Sequence, residues 1–406
     1  LRKNGRLSKD LFALILATLV ADLGFGIVIP SLPGYVTGIL GAKTHLLGMI
    51  ISIFALFNAL FKVPMGALSD RYGRKPMIVG GLVVSALAPV LMTVIRVPLL
   101  FLPIRALDGM GNAAIFPAAN ALITDTTEAN ERATAMSAVS TASFVGSGAG
   151  PVIGGLIYAA TNSYLAPFYV SAGLILSGAL IALFTLSEPA ARSDQPPLRL
   201  LLPRDDLLRQ MREATAALRR RPMLQTLLRI NFLLLFGLGL LLPTFILYIQ
   251  NFLGFSPQII GVVFTVSTFV SLFALLGGGR LADRIGRRIP IVAGLAMLAL
   301  SFVSVLIIRT PLQLIAVASV SGIGGAILLP ALLARLSELC PDNSRGAVLG
   351  FIGTVQGFGL VLGPTVGGWL WDSFDPRAPF LLCCFLIVAA LILAVEGIND
   401  VPARAG

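Results

Sequence analysis

Long apolar runs alternate with short polar breaks along the whole chain. They fall near residues 10–31, 45–66, 76–95, 98–121, 134–158 and 166–187, then near 223–249, 257–279, 289–308, 312–334, 346–370 and 378–396. Each holds about 20 residues, enough at about 1.5 Å per residue to cross about 30 Å of hydrocarbon as a helix. The pattern predicts an all-α membrane protein of twelve transmembrane helices. A polar stretch at 188–222 divides them into one six-helix bundle at 1–187 and another at 223–406. The first part of this divider, SEPAARSDQPP, reads as linker. Its remainder sets Leu207, Met211 and Leu218 broadly to one side among arginines. That part is either an amphipathic helix lying on an anionic membrane surface or a solvated connector.

Composition and charge sharpen this picture. Only 12% of the 406 residues are charged, against roughly 25% in soluble domains. The net charge of +11 does not point to nucleic acid, because position sorts the basic residues. Twenty-three of the 30 Lys and Arg flank the termini or the loops that follow every second run, whereas only Lys43, Arg96, Arg309 and Arg377 occupy the opposite loops. The positive-inside rule then puts both termini in the cytoplasm, as expected of a multi-pass protein of a bacterial cytoplasmic (inner) membrane. The first run follows Arg2, Lys3, Arg6 and Lys9 without a small-residue cleavage site before Pro30, so it reads as a retained helix. Cys340, Cys383 and Cys384 have no metal-ligand spacing, and His45 stands alone. No Walker A motif is present, so neither an enzyme nor a cofactor is expected. The expected partners are small solutes and membrane lipids, and the default state is a monomer.

The two halves match at one offset of 213 residues. Gly24, Gly26 and Pro30 map to Gly237, Gly239 and Pro243, and Asp70-Arg71 with Gly73-Arg74 maps to Asp283-Arg284 with Gly286-Arg287. Gly109, Gly111 and Pro117 map to Gly322, Gly324 and Pro330. Arg132 maps to Arg345, and Gly150-Pro151 with Gly154-Gly155 maps to Gly363-Pro364 with Gly367-Gly368. Six helices per half make the repeats parallel, related by a pseudo-twofold axis along the membrane normal, which is one of the two transporter repeat arrangements.

Charges inside the apolar runs mark candidate chemistry. Asp22 lies near the middle of the first run, where a carboxylate costs about 2.5–3.5 kcal/mol by insertion scales and must face protein or a wet cavity. It is a candidate proton carrier or substrate contact, with a structural hydrogen-bond acceptor as the alternative. Arg105 and Asp108, three apart in the fourth run, share a helix face. Two carboxylates, Asp22 and Asp108, then compete for one guanidinium, so any titration belongs to the set. In the fifth run, Gly146, Gly150, Gly154 and Gly155 give a flat face for a partner helix, and Pro151 removes a backbone hydrogen bond. The segments GALSDRYGRKP and GRLADRIGRRI read as short turns between spans, with Asp70 and Asp283 available to latch helix ends.

These motifs resemble the major facilitator superfamily, and in particular its twelve-span drug:proton antiporters, over essentially the whole chain. The family's loop signature falls on Gly66, Asp70, Arg71, Gly73, Arg74 and Lys75, with a counterpart at Gly279, Asp283, Arg284, Gly286, Arg287 and Arg288. The resemblance implies a cytoplasmic gate here, with Asp70 held near the cytoplasmic end of span 11. The span 4 signature falls on Arg105, Gly109 and Gly111, and implies a role for Arg105 in proton coupling. The antiporter motif falls on Gly146, Gly150, Pro151, Gly154 and Gly155, and implies export. Two departures stand out. Asp108 occupies a position where the family often has Gln, and the C-terminal spans hold almost no deep acids.

The fold so implied predicts a central cavity lined by Phe57, Asn112 and Phe116 from the first half and Asn231, Tyr248, Phe264 and Gln356 from the second. The expected function is proton-coupled efflux of lipophilic or cationic small molecules by alternating access, as in multidrug resistance. An exporter of a specific metabolite or lipid is the alternative within transport. A non-transporting receptor or scaffold is the alternative outside it.

Overall fold

The computed structural model describes residues 9–128, 131–188, 221–340 and 345–398, so the 207–218 segment lies outside them. Among the described residues there are twelve α-helices. They are α1 (Lys9–Val28), α2 (Thr44–Tyr72), α3 (Arg74–Val94), α4 (Phe101–Thr126), α5 (Arg132–Thr161) and α6 (Ala166–Thr185). The second set is α7 (Pro222–Asn251), α8 (Pro257–Ile285), α9 (Arg288–Val305), α10 (Pro311–Leu339), α11 (Arg345–Ser373) and α12 (Ala378–Gly397). Eleven are long and apolar enough to cross a membrane, and the other, α11, has 29 residues. Large apolar side chains such as Phe184, Ile307 and Phe385 are exposed, as they must be where lipid replaces water.

The chain folds as two compact units. Unit 1 comprises Leu1–Ala42, Ile53–Leu202 and Ser256–Gly261, and unit 2 comprises Lys43–Ser52, Pro203–Phe255 and Val262–Gly406. In unit 1, α1 packs on α5 and α6, and α3 packs on α4 and α6. In unit 2, α7 packs on α11 and α12, and α9 packs on α10 and α12. The 213-residue repeat is therefore a repeat of packing partners.

Close packing follows from glycines at matched places. A Cβ on Gly26 would lie 2.9 Å from Gly150 Cα, and one on Gly239 would lie 3.0 Å from Gly363 Cα. A Cβ on Gly81 would lie 2.5 Å from the Gly111 carbonyl oxygen, and one on Gly294 would lie 2.7 Å from that of Gly324. No residue with a side chain fits these crossings without moving backbone.

One expectation is corrected. The segment from Gly66 to Tyr72 is not a turn but the last two turns of α2, and the break is confined to Gly73. Gly73 has φ 104°, and its counterpart Gly286 has φ 85°, a region that disfavours side chains. Apolarity marks where hydrocarbon ends, whereas the backbone hydrogen-bond ladder continues beyond it. At 29 residues, α2 is about 43 Å long, well over the thickness of the hydrocarbon.

Candidate functional site

Asp22 owes its position to the α1–α5 crossing. The glycine face of α5 lies directly on α1: a Cβ on Gly146 would come 2.5 Å from the Leu19 carbonyl oxygen and 3.1 Å from Asp22 Cβ. Gly150 meets Gly26, and Gly154 meets Ile27. Gly155 faces the other way, toward the Pro257 carbonyl oxygen at the start of α8, a segment that belongs to unit 1. With α1 held this close, Asp22 faces a cavity of about 390 Å³ inside unit 1, with Ser143 of α5 beside its carboxylate.

The cavity has mostly apolar walls from α1, α3, α4 and α5, including Leu14, Phe25, Ile78, Leu82 and Ile115. Two predicted contacts, Asn112 and Phe116, line it. Asn112 accepts a hydrogen bond of 2.8 Å from Asn58 Nδ2, and Phe116 is 62% exposed. Lys62 of α2, Asn120 of α4, Thr18 of α1 and Ser140 of α5 also line the cavity and were not among the expected residues. Of these, Lys62 carries a signal readable in advance, a lone charge within an apolar run.

Arg105 and Asp108 form a separate, drier cluster. Arg105 Nη1 donates to Asp108 Oδ2 at 2.5 Å, and the guanidinium carbon sits 4.2 Å from the centre of the Phe54 ring. Asp108 is only 2% exposed. The pair borders a chamber of about 40 Å³, also lined by Phe25, Ser85 and Ser171. Arg105 Nε and Ser171 Oγ are buried without a hydrogen-bond partner, and Ser85 lies beside the Asp108 carboxylate. A chamber of this size lined by such groups is suited to ordered water. Phe25 lines both spaces, so its ring is a shared wall between the Asp22 cavity and the Arg105–Asp108 chamber.

At the Asp70 end of α2, Arg74 joins three elements. Its Nη1 lies 2.5 Å from Asp70 Oδ1 and 3.0 Å from Ser69 Oγ, and its Nε lies 3.2 Å from Asp125 Oδ2 on α4. Glu188 accepts from the backbone N–H groups of Arg74 and Lys75 at 2.7 and 2.8 Å, capping the start of α3. A carboxylate at a helix N-terminus meets both the unpaired N–H groups and the positive end of the dipole. Neither Asp125 nor Glu188 is part of the loop signature. In unit 2, Arg287 Nε reaches Glu338 Oε1 at 3.1 Å, the counterpart of the Arg74–Asp125 pair at the same offset. The side chains of Asp283 and Arg284 lie outside the described residues, and Arg71 lies 5.7 Å from the Tyr72 ring centre.

The remaining predicted contacts are placed as follows. Phe57 stacks on Phe61 at 5.9 Å on α2. Tyr248 is buried in unit 2, between Phe252 and Phe380 at 5.4 and 4.8 Å. Phe264 meets Phe245 edge-on at 6.4 Å, Asn231 is buried with its Oδ1 unpaired, and Gln356 is half-buried. Among the described residues, no group of three or more His, Cys, Asp or Glu could hold a metal ion.

Two six-helix units of matching packing, the first with a charged, mainly apolar cavity of its own, have the architecture of a multi-pass membrane transporter. The chain belongs to the Major Facilitator Superfamily, whose family model matches residues 14–246 and 227–402. Among curated relatives, it is 29% identical to multidrug resistance protein 2 of Bacillus subtilis (strain 168), over 99% of this chain and 100% of that one. It is 28% identical to the multidrug resistance protein MdtG of Serratia proteamaculans (strain 568), over 94% and 91%. Among solved structures, the nucleoside transporter NupG has a TM-score of 0.77 at 14% identity, over 96% of this chain and 98% of that one. A bacterial homologue of the human lysosomal transporter Spinster, in an inward-facing and unoccupied conformation, has a TM-score of 0.73 at 18% identity, over 97% and 96%. At these identities the structural likeness concerns the fold.

Proposed function

We propose that this chain is a drug:proton antiporter that exports lipophilic or cationic small molecules from the cytoplasm, with both termini on the cytoplasmic side. One observation carries the reading: a single carboxylate, Asp22, faces a largely apolar cavity of about 390 Å³. That size falls within the range of small-molecule sites. The names of the Bacillus and Serratia relatives support a multidrug substrate range.

In this reading, substrate enters from the cytoplasm or the inner leaflet while Asp22 is ionised. The transporter then opens outward, and a proton taken up by the Asp22–Asp108–Arg105 set displaces the substrate. Return with the proton and its release inside resets the cycle, exchanging protons inward for substrate outward. Phe25 lines both the Asp22 cavity and the chamber of the Arg105–Asp108 pair. The α1–α5 glycine face keeps Asp22 in register, and the Asp70–Arg74–Asp125 cluster with Glu188 braces the cytoplasmic ends of α2, α3 and α4.

The test is dye efflux from proteoliposomes under an imposed pH gradient. Asp22→Asn is expected to lower gradient-driven efflux by about 10²-fold or more, as for a lost proton-transfer group. Undiminished, gradient-dependent efflux in a well-folded variant would remove Asp22 from the mechanism. Transport of one metabolite or lipid alone, with no drug-stimulated proton movement, would favour the narrower exporter.

A further inference from the structure

Lys62 is a charge that the antiport cycle above does not use. It lies inside α2, its side chain is exposed, and it lines the same cavity as Asp22. Among the described residues it makes no hydrogen bond or ion pair, with Asp22 or with any other group.

Lys62 lies four residues inside the end of its apolar run, about 6 Å along the axis and within reach of a lysine side chain, so its ammonium meets polar surroundings while it lines the cavity. The scaffold does not require a charge here. At the offset of 213 residues, the counterpart of Lys62 is Leu275 and that of Asp22 is Leu235. Both positions hold leucine in the second unit, so the repeated scaffold does not call for either charge. The two charges lie at different depths: Asp22 is twelve residues inside its apolar run, about 18 Å, and Lys62 four residues inside its own, about 6 Å, from the same side.

A cavity with a carboxylate at one place, a free ammonium at another and apolar walls between is complementary to a solute carrying both charges on an aromatic or aliphatic body. Asn112 and Asn120 of α4 add neutral hydrogen-bonding groups to the same walls. We infer that Lys62 is a specificity-determining residue that binds the anionic group of amphoteric substrates, so that the solutes exported include lipophilic zwitterions as well as cations. This inference rests on the export reading above.

A matched pair of probes separates the two. The first is a fluorescent aromatic amino carboxylate, a zwitterion at neutral pH, and the second is its methyl ester, which keeps only the cation. Efflux kinetics are measured in proteoliposomes under a pH gradient for the unchanged protein, Lys62→Gln and Lys62→Arg. The unchanged protein should export both probes. Lys62→Gln should raise KM for the zwitterion by about tenfold, as expected for loss of one charge-assisted hydrogen bond, and change that for the ester less than twofold. Lys62→Arg should restore the zwitterion. Ester efflux serves as the folding control in each variant.

Equal loss of both probes in Lys62→Gln, or loss of neither, would overturn the assignment, as would ester export without zwitterion export by the unchanged protein. If the unchanged protein exports neither probe under any gradient, the export reading itself falls, and this inference with it.

Discussion

Asp108 is nearly inaccessible, and the charge that balances it is Arg105, which donates to it at 2.5 Å. A carboxylate so placed depends on that guanidinium. Removing one member of a buried ion pair strands the other, at a cost of about 3–5 kcal/mol. Arg105→Ala should therefore lower the unfolding free energy in detergent by about that amount, and Arg105→Ala combined with Asp108→Ala should lose less than the single variant. Equal or larger loss in the double variant would mean that the pair is not the unit that matters. Asp22, Arg105 and Asp108 were legible because each is a charge within an apolar run. Lys62 has the same signature, four residues inside the end of the second apolar run. Glu188 was not legible in this way. It lies 114 positions from Arg74, past the end of α6, and only the packing of α3 on α6 brings the two together.

Helix positions were readable from apolarity, but helix ends were not. The runs end with the hydrocarbon, whereas α2 and α4 continue about five or six residues further, carrying Asp70 and Asp125 to Arg74. The glycine spacing in α5 was readable as a packing face, although its partner was not. The crossing with α1 turns a packing motif into a positioning device, because the same face that receives Gly26 also fixes the register of Asp22. The duplication provides an internal control. Gly150→Leu would drive a side chain into Gly26, and Gly363→Leu would drive one into Gly239, at nearly the same spacing. Both variants should lose about 1–3 kcal/mol of stability or more from overpacking, seen as similar falls in the thermal midpoint. Only Gly150→Leu should also change gradient-driven efflux in protein that survives, since no carboxylate sits beside the α7–α11 crossing. Similar efflux defects in both would mean that the glycine face serves packing alone.

At the scale of the molecule, the scaffold is doubled and the chemistry is not. The starts of α1, α2 and α5, the glycine crossings and the Arg74–Asp125 and Arg287–Glu338 pairs recur at the offset of 213 residues. The charges of the cavity and its neighbouring chamber do not: Asp22, Lys62, Arg105 and Asp108 correspond to Leu235, Leu275, Ala318 and Ser321. The duplication was legible because glycine and proline are needed at fixed places whatever is transported. The enclosing cavity was not, since the phase of each helix about its own axis follows from packing. The account stands or falls on Asp22 exchanging a proton for substrate in that cavity. The most direct measurement is proton release from purified protein in weakly buffered detergent on adding a saturating lipophilic cation. The unchanged protein should release protons in proportion to substrate bound, and Asp22→Asn should still bind the cation weakly but release none. Full, substrate-dependent proton release from Asp22→Asn would contradict it.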